Sequence, residues 1–251
     1  MRVVLPDESG LPAKDYLESV RERLAKQGIE CETRMEWGRP AREILYCGKR
    51  FAFDLIAMTT HGRSGVKRAF LGSVTEEVLR HGVLPILVVR PGVKAGGWKR
   101  LLVPLDGSPL AEQILPEAMR VAKAFGSQLQ LLRVLPSTVV QMTGAGHAGF
   151  VTPEDPIPYL HEVGHRLAGE GVAVLPASRM GDPASEICRF AEETGAGAIC
   201  MSSHGRSGLK RALLGSGAEG VLREAPCPVY VLRTLGAPFP AVAHEAGIPI
   251  L

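Results

Sequence analysis

The chain has 251 residues, of which 45% are hydrophobic and 22% charged, and its net charge is +3. These proportions are those of an ordinary soluble globular protein, and so small a net charge argues against a nucleic-acid binder held by bulk electrostatics. Five scattered cysteines without a C-x-x-C pair argue for reduced thiols in a cytoplasmic protein rather than a disulfide framework. No apolar run approaches about 18 residues, so neither a membrane span nor a signal peptide is expected.

In chain order, residues 2–6 read as a short strand. Residues 15–27 place Leu17, Val20 and Leu24 at helical spacing and stop at Gly28. A strand follows, and Pro40 opens the next helix at a favoured first-turn position. Residues 55–58 are a buried-type strand, followed by a glycine-rich basic loop from His61 to Gly72. Ser73-Val74-Thr75-Glu76 then fits a capping box at a helix start, and residues 86–89 form a last strand. Residues 93–98 read as a linker.

After the linker, residues 100–108 form a buried strand running into a turn. A long helix over 110–125 and a strand over 129–135 come next, then an extra loop over 137–158 rich in Gly, Pro and Thr. From there the chain repeats itself. The thirteen residues from His61 to Ser73 return from His204 to Ser216 with two apolar exchanges, at an offset of 143. Tyr16-Leu17 matches Tyr159-Leu160, and Gly38-x-Pro40-Ala41-x-Glu43-Ile44 matches Gly181-x-Pro183-Ala184-x-Glu186-Ile187. Residues 198–201 and 229–232 repeat the strands, Ser216 to Glu219 repeats the capping pattern, and 235–251 is an Ala/Pro-rich tail without assignment. Strands alternating with helices imply an open parallel sheet with helices on both faces. The expected organisation is an incomplete first domain (1–92), a linker (93–98), a complete second domain (99–234) and a tail (235–251). The first lacks one strand and one helix, because residues 2–6 match either the second strand of the second copy or, less neatly, its first. A central strand cannot be lost as an edge trim. Either residues 2–6 move into its place, another segment or chain fills it, or the gene start lies upstream.

With these motifs in view, the chain resembles the universal stress protein family in its tandem form, with a shortened first repeat. Val103-Pro104-Leu105-Asp106-Gly107-Ser108 matches the family's opening strand. G-x-P-A-x-x-I stands at Gly38 and Gly181, and nine residues separate Gly62 from Gly72 and Gly205 from Gly215 before Ser73 and Ser216. The resemblance implies five parallel strands in a complete copy, a Rossmann-like sheet of the adenine nucleotide alpha hydrolase type. It also implies ATP across the carboxyl ends of those strands. Carried over residue by residue, Asp106 accepts from the adenine or ribose beside Pro104 and Leu105, Val134 faces the base, and Met201 closes its pocket. Ser202, Gly205, Arg206, Gly208, Gly215 and Ser216 hold phosphates. A weaker echo falls on Met58, Thr59, Gly62, Arg63, Gly65, Gly72, Ser73, Val74 and Thr75. The family's pairing through the last strand would join 86–89 to 229–232 inside the chain and leaves a homodimer open. Two departures stand out. Thr59 and Ser202 replace the first loop glycine, whose use is close backbone approach and positive φ. The first copy also has no clear Asp106.

Backbone N–H groups freed by glycine, a helix N-terminus and Arg63/Lys67/Arg68 or Arg206/Lys210/Arg211 converge on an anion; the alternative is a tight turn kept for folding. Asp106 could likewise be a helix N-cap, and His61 and His204 could hold the turn or act as bases. His161-Glu162-Val163-Gly164-His165 spells H-E-x-x-H, but the first copy has Glu18-Ser19-Val20-Arg21-Glu22 there, so it reads as a surface coincidence without metal. No nucleophile stands with a base. The chain is therefore read as a non-enzymatic cytoplasmic module binding ATP or a related adenine nucleotide, mainly in its second repeat. A nucleotide-free pseudo-dimeric interaction module is the alternative. A slow ATPase or self-phosphorylating protein using Ser216 is a third.

Overall fold

The computed structural model describes residues 2–3, 13–60, 71–93, 96–135, 139–142, 148–151, 155–203 and 214–233. In the first half these form β1 (Arg2–Val3), α1 (Ala13–Ala25), β2 (Glu32–Thr33), α2 (Pro40–Arg50), β3 (Ile56–Thr59), α3 (Ser73–His81) and β4 (Ile86–Val89). The second half contains β5 (Arg100–Pro104), α4 (Pro109–Glu112), α5 (Leu115–Phe125), β6 (Gln128–Leu135), β7 (Val139–Met142) and β8 (Ala148–Val151). It continues through α6 (Ile157–Ala168), β9 (Val174–Met180), α7 (Pro183–Thr194), β10 (Ala198–Ser202), α8 (Ser216–Glu224) and β11 (Val229–Leu232).

Seven strands share one sheet in the order β3-β4-β11-β10-β5-β6-β9, parallel except where β4 meets β11. Val229 opposes Val88, Tyr230 opposes Leu87, and Val231 opposes Ile86. The two α/β halves thus meet strand to strand within the chain, in one continuous sheet. The second half contributes five parallel strands with β5 in the middle, and β5 and β10 read as unbroken apolar runs because helices cover both of their faces. One core lies under α2, α3, α7 and α8 and spans both halves, uniting Val78, Ile86 and Val88 with Ile187, Val221 and Val231. The other is centred in the second half, where Ala118 and Met119 of α5 and Leu160 of α6 pack on Leu101, Leu129 and Tyr230, and Leu55 and Leu87 of the first half pack against it.

Several expectations change. Among the described residues the first half contributes β3 and β4 to the large sheet, while β1 pairs with β2 in a separate parallel pair. Arg2 opposes Glu32 as Gln130 opposes Leu175, so β1 holds the second-strand position and does not move to the centre. The long helix expected over 110–125 is two helices. Pro116, in the first turn of α5, has no N–H for the Glu112 carbonyl, and the chain turns at Gln113-Ile114. The extra loop contains an antiparallel pair, β7 with β8, drawn from its valine-bearing stretches. Neither expected capping box forms. Gly72 and Gly215 are the N-caps of α3 and α8, with extended backbone, and Ser73 and Ser216 are already inside the helices. The tail 235–251 and most of residues 2–6 lie outside the described residues.

The repeated G-x-P-A-x-E motif has a packing explanation. Gly38 and Gly181 sit at φ +147° and +146°, and a Cβ there would meet the folded-back side chain of Glu43 at 2.6 Å or of Glu186 at 2.9 Å. Only glycine suits both the backbone and the space.

Burial governs the thiols of the second half. It pushes Cys188 up to about 11, and Cys200 and Cys227 up to about 12, from an ordinary 9.0. The folded state therefore holds these protons more tightly than the unfolded chain does. That stability is complete below pH 9 and is lost as the pH rises through the folded values. Each thiol adds to that loss by up to about 1.4 kcal/mol per pH unit between 9 and its folded value, and no further above it. The melting temperature should fall between pH 8 and 10 by thermal denaturation, and the Cys200→Ala/Cys227→Ala variant should show a shallower fall.

Candidate functional site

The carboxyl ends of β5, β6 and β10 open onto a cavity of about 270 Å³. Two neighbouring strands of a parallel sheet leave such a crevice where their connections diverge to opposite faces. On one side β5 ends in Pro104, Leu105 and Asp106. The Leu105 N–H donates to the Leu132 carbonyl at 2.8 Å, which carries the ladder up to the rim. Asp106 Oδ1 accepts the Ser108 N–H at 2.9 Å, and the Ser108 hydroxyl in turn accepts from the Ala111 N–H at 3.1 Å. Ser108, not Asp106, is therefore the cap of α4. The carboxylate belongs to the turn facing the cavity. Gly107, at φ +78°, lets Arg133 lie against that turn, where its guanidinium fills the space a Cβ would take.

The cavity floor is apolar, made of Leu132, Val134, Ile187 and Met201. The far wall is Gly215 and Ser216, at the beginning of α8. The Gly215 N–H donates to the Ser203 carbonyl at 3.0 Å, and in the first half the Gly72 N–H donates to Thr60 at 2.7 Å, so both loops close in the same way. The first-turn N–H groups of α8 have no acceptor within the helix and carry its positive dipole end to the cavity rim.

Ser202 sits beneath, buried, and its hydroxyl donates to the Ala111 carbonyl at 3.2 Å. Neither Ser202 nor Thr59 adopts positive φ, and Ala52 is the one non-glycine residue that does among the described residues. The expectation that this position needs glycine's backbone freedom is thus removed. Serine adds a tie between β10 and α4 instead.

Pro104, Leu105, Asp106, Val134, Met201, Ser202, Gly215 and Ser216 all line this one cavity. Gly205, Arg206 and Gly208 lie outside the described residues, as do Gly62, Arg63 and Gly65 and the two loop histidines, His61 and His204. Sequence reasoning did not assign Pro183, Ile187 and Ser203 to the site. Pro183 and Ile187 belong to the G-x-P-A-x-x-I motif, whose repetition was the available signal.

The weaker echo is built differently. Thr59 is exposed and half-buried Met58 lies beside it. The Thr75 hydroxyl donates to the Thr59 carbonyl at 2.9 Å, tying α3 to β3. Gly72, Ser73, Val74 and Thr75 start α3, but no described strand stands opposite them in the place that β5 takes in the second half. His161 and His165 are exposed on α6, and no group of three metal-ligating side chains occurs among the described residues.

Truncating Ser202 to alanine removes the donor to a buried carbonyl. It should cost about 1 kcal/mol in urea denaturation, with a backbone otherwise unchanged.

A sequence profile described as the universal stress protein family matches residues 3–90 and again 97–233. A universal stress protein of Methanocaldococcus jannaschii is 32% identical over 140 residues, covering 54% of this chain and 82% of that protein. One of Mycobacterium tuberculosis is 29% identical over 189 residues, covering 72% of this chain and 62% of its own length. The crystal structure of a universal stress protein from Archaeoglobus fulgidus superposes with a TM-score of 0.71 at 27% identity, over 92% of this chain and 85% of the other. Two consecutive profile matches, the repeated motifs and the shared architecture lead to one conclusion: the chain belongs to the universal stress protein family, as a tandem member.

Proposed function

We propose that the chain binds ATP or a related adenine nucleotide in the cavity of its second half and acts in the cytoplasm as a stress-response module whose output follows occupancy. The observation that carries this reading is the convergence of Asp106, the apolar Val134 and Met201, and the Gly215-Ser216 helix start on one cavity. These are the elements a base, a sugar and a phosphate each require. Val134 and Met201 would take the flat faces of the base by dispersion and apolar burial. The Asp106 carboxylate, oriented by the Ser108 N–H, would accept from the base amine or a ribose hydroxyl. The α8 N-terminus would face the phosphates, with Gly205, Arg206 and Gly208 completing their shell. The first half, with its phosphate-end residues but no opposing strand among the described residues, would add no second site of equal strength. The lining that is described offers contacts for holding a nucleotide, and on this reading the nucleotide serves as a ligand.

Isothermal titration of the whole chain with ATP tests this. The expected result is one saturable site per chain, weakened about tenfold or more by Asp106→Asn, which exchanges a charged acceptor for a neutral amide of equal size. Absence of binding heat in the unmutated chain would move the reading to the nucleotide-free interaction module. Hydrolysis above the no-protein rate, abolished by Ser216→Ala, would move it to the slow ATPase or self-phosphorylating protein.

A further inference from the structure

The duplication gives each surface of one half a counterpart on the other, and one such pair has diverged in opposite directions. Helices α2 and α7 stand at the 143-residue offset and pack on the same core, through Ala41 and Ile44 in one and Ala184 and Ile187 in the other. Their outer sides differ. Residues 37–50 contain Arg39, Arg42, Lys49 and Arg50 against the single carboxylate Glu43, a net charge of +3. Residues 180–193 contain Asp182, Glu186, Glu192 and Glu193 against the single cation Arg189, a net charge of −3. The inversion falls on equivalent positions: Arg39 stands where the other copy has Asp182, Lys49 where it has Glu192, and Arg50 where it has Glu193. All six are exposed.

Local folding does not call for several of these charges. Arg39 is the N-cap of α2 and gives it no side-chain bond, whereas Asp182 in the same place accepts the Ser185 N–H at 3.0 Å. A cation at a helix N-terminus opposes the helix dipole, and so do Glu192 and Glu193 in the last turn of α7. The one cation of α7 is engaged within the helix, because Arg189 pairs with the buried Glu186. Arg179 lies 2.9 Å from Glu193, an exposed pair of the kind that contributes little and can exchange partners. Each helix also begins beside a large apolar side chain at one equivalent position, Trp37, 88% exposed, and Met180, 60% exposed. Tyr46 adds a further exposed ring on α2.

We propose that these faces bind each other between two copies of the chain, the basic α2 of one on the acidic α7 of the other, in a closed two-fold pair. The occupant follows from charge: the surface complementary to α2 is carried by this same chain. Cations stand at both ends of α2 and carboxylates at both ends of α7, so the contact is attractive whichever way the helices run. Both helices lie in one layer, and a second copy turned over about a two-fold axis sets α2 on α7 and α7 on α2 at once. The contact is thereby used twice, which doubles the area that one helix face can bury. Trp37 and Met180, beside the charges, supply apolar burial that exposed ion pairs alone lack. A nucleic acid would use α2 only and leave the inversion on α7 without a role. This inference concerns the outer helical layer and stands apart from the nucleotide reading.

Sedimentation velocity of the full 251-residue chain is the test. At about 50 mM salt the mass of two chains is expected, falling toward that of one as salt rises to about 0.5 M, because exposed charges are screened. Lys49→Glu/Arg50→Glu sets like charges against α7, and Glu192→Lys/Glu193→Lys does so against α2. Each variant should raise the dissociation constant about a hundredfold or more, at an unchanged circular dichroism spectrum. Mixed in equal amounts the two variants should pair again, since one is acidic and the other basic on both faces. The proposal is overturned if the unmutated chain stays a monomer up to about 100 μM at low salt. It is equally overturned if neither variant weakens the pair, or if mixing fails to restore it. A monomeric chain that binds a labelled single-stranded oligonucleotide through Lys49 and Arg50 would make the occupant of α2 a nucleic acid, which overturns it as well.

Discussion

The antiparallel meeting of β4 and β11 is the constraint on which the rest of the molecule depends. Parallel sheets grow by crossovers and end in two exposed edges, and each half of this chain ends in one at its last strand. Pairing those two edges removes both at once and forces the halves to run in opposite directions. Val88 and Val229 then share a core with Val78 and Val221, so the helices of one half pack in the same apolar layer as those of the other. Arg90 adds a charged donor across the seam, with Nη1 3.0 Å from the Ala225 carbonyl. A first half with two strands in the large sheet could bury little by itself. Much of its order is lent by its neighbour.

The carboxyl ends of the strands are surrounded differently in the two halves. A crevice at the carboxyl ends of a parallel sheet needs strands on both sides of the point where connections diverge. The second half has β5 and β10 there, and Asp106 and Ser202 lie within reach of one cavity. The first half has β3, its glycine-capped α3 and the same bond from Gly72 to Thr60, and among the described residues no strand takes the place of β5 beside them.

How much could be read in advance follows from the range of each interaction. Local rules placed the helices within a few residues, since Gly28 and Pro40 act on their own backbone. They failed where a longer range mattered. Pro116 splits the expected helix because one carbonyl loses its donor, and Gly72 rather than Ser73 caps α3 because the loop closes through the Gly72 N–H. Ser202 was expected to trouble the site for want of glycine's backbone freedom. Its backbone is extended and its hydroxyl bonds to Ala111, which is distant in sequence, a contact no local rule could foresee. Ile187 shows the reverse: its motif was visible twice, but only the packing of α7 beside β10 makes it part of the cavity.

The sequence by itself determined the family, the duplication and the alternation of strand and helix. Each of these is written in local spacing or in repetition at a constant offset. Only the tertiary structure decided that the two halves form one sheet and that residues 2–3 occupy a second-strand position. Strand pairing joins residues far apart along the chain, and the hydrogen bonds that fix it are the same whatever the side chains. No spacing within either copy could carry that information.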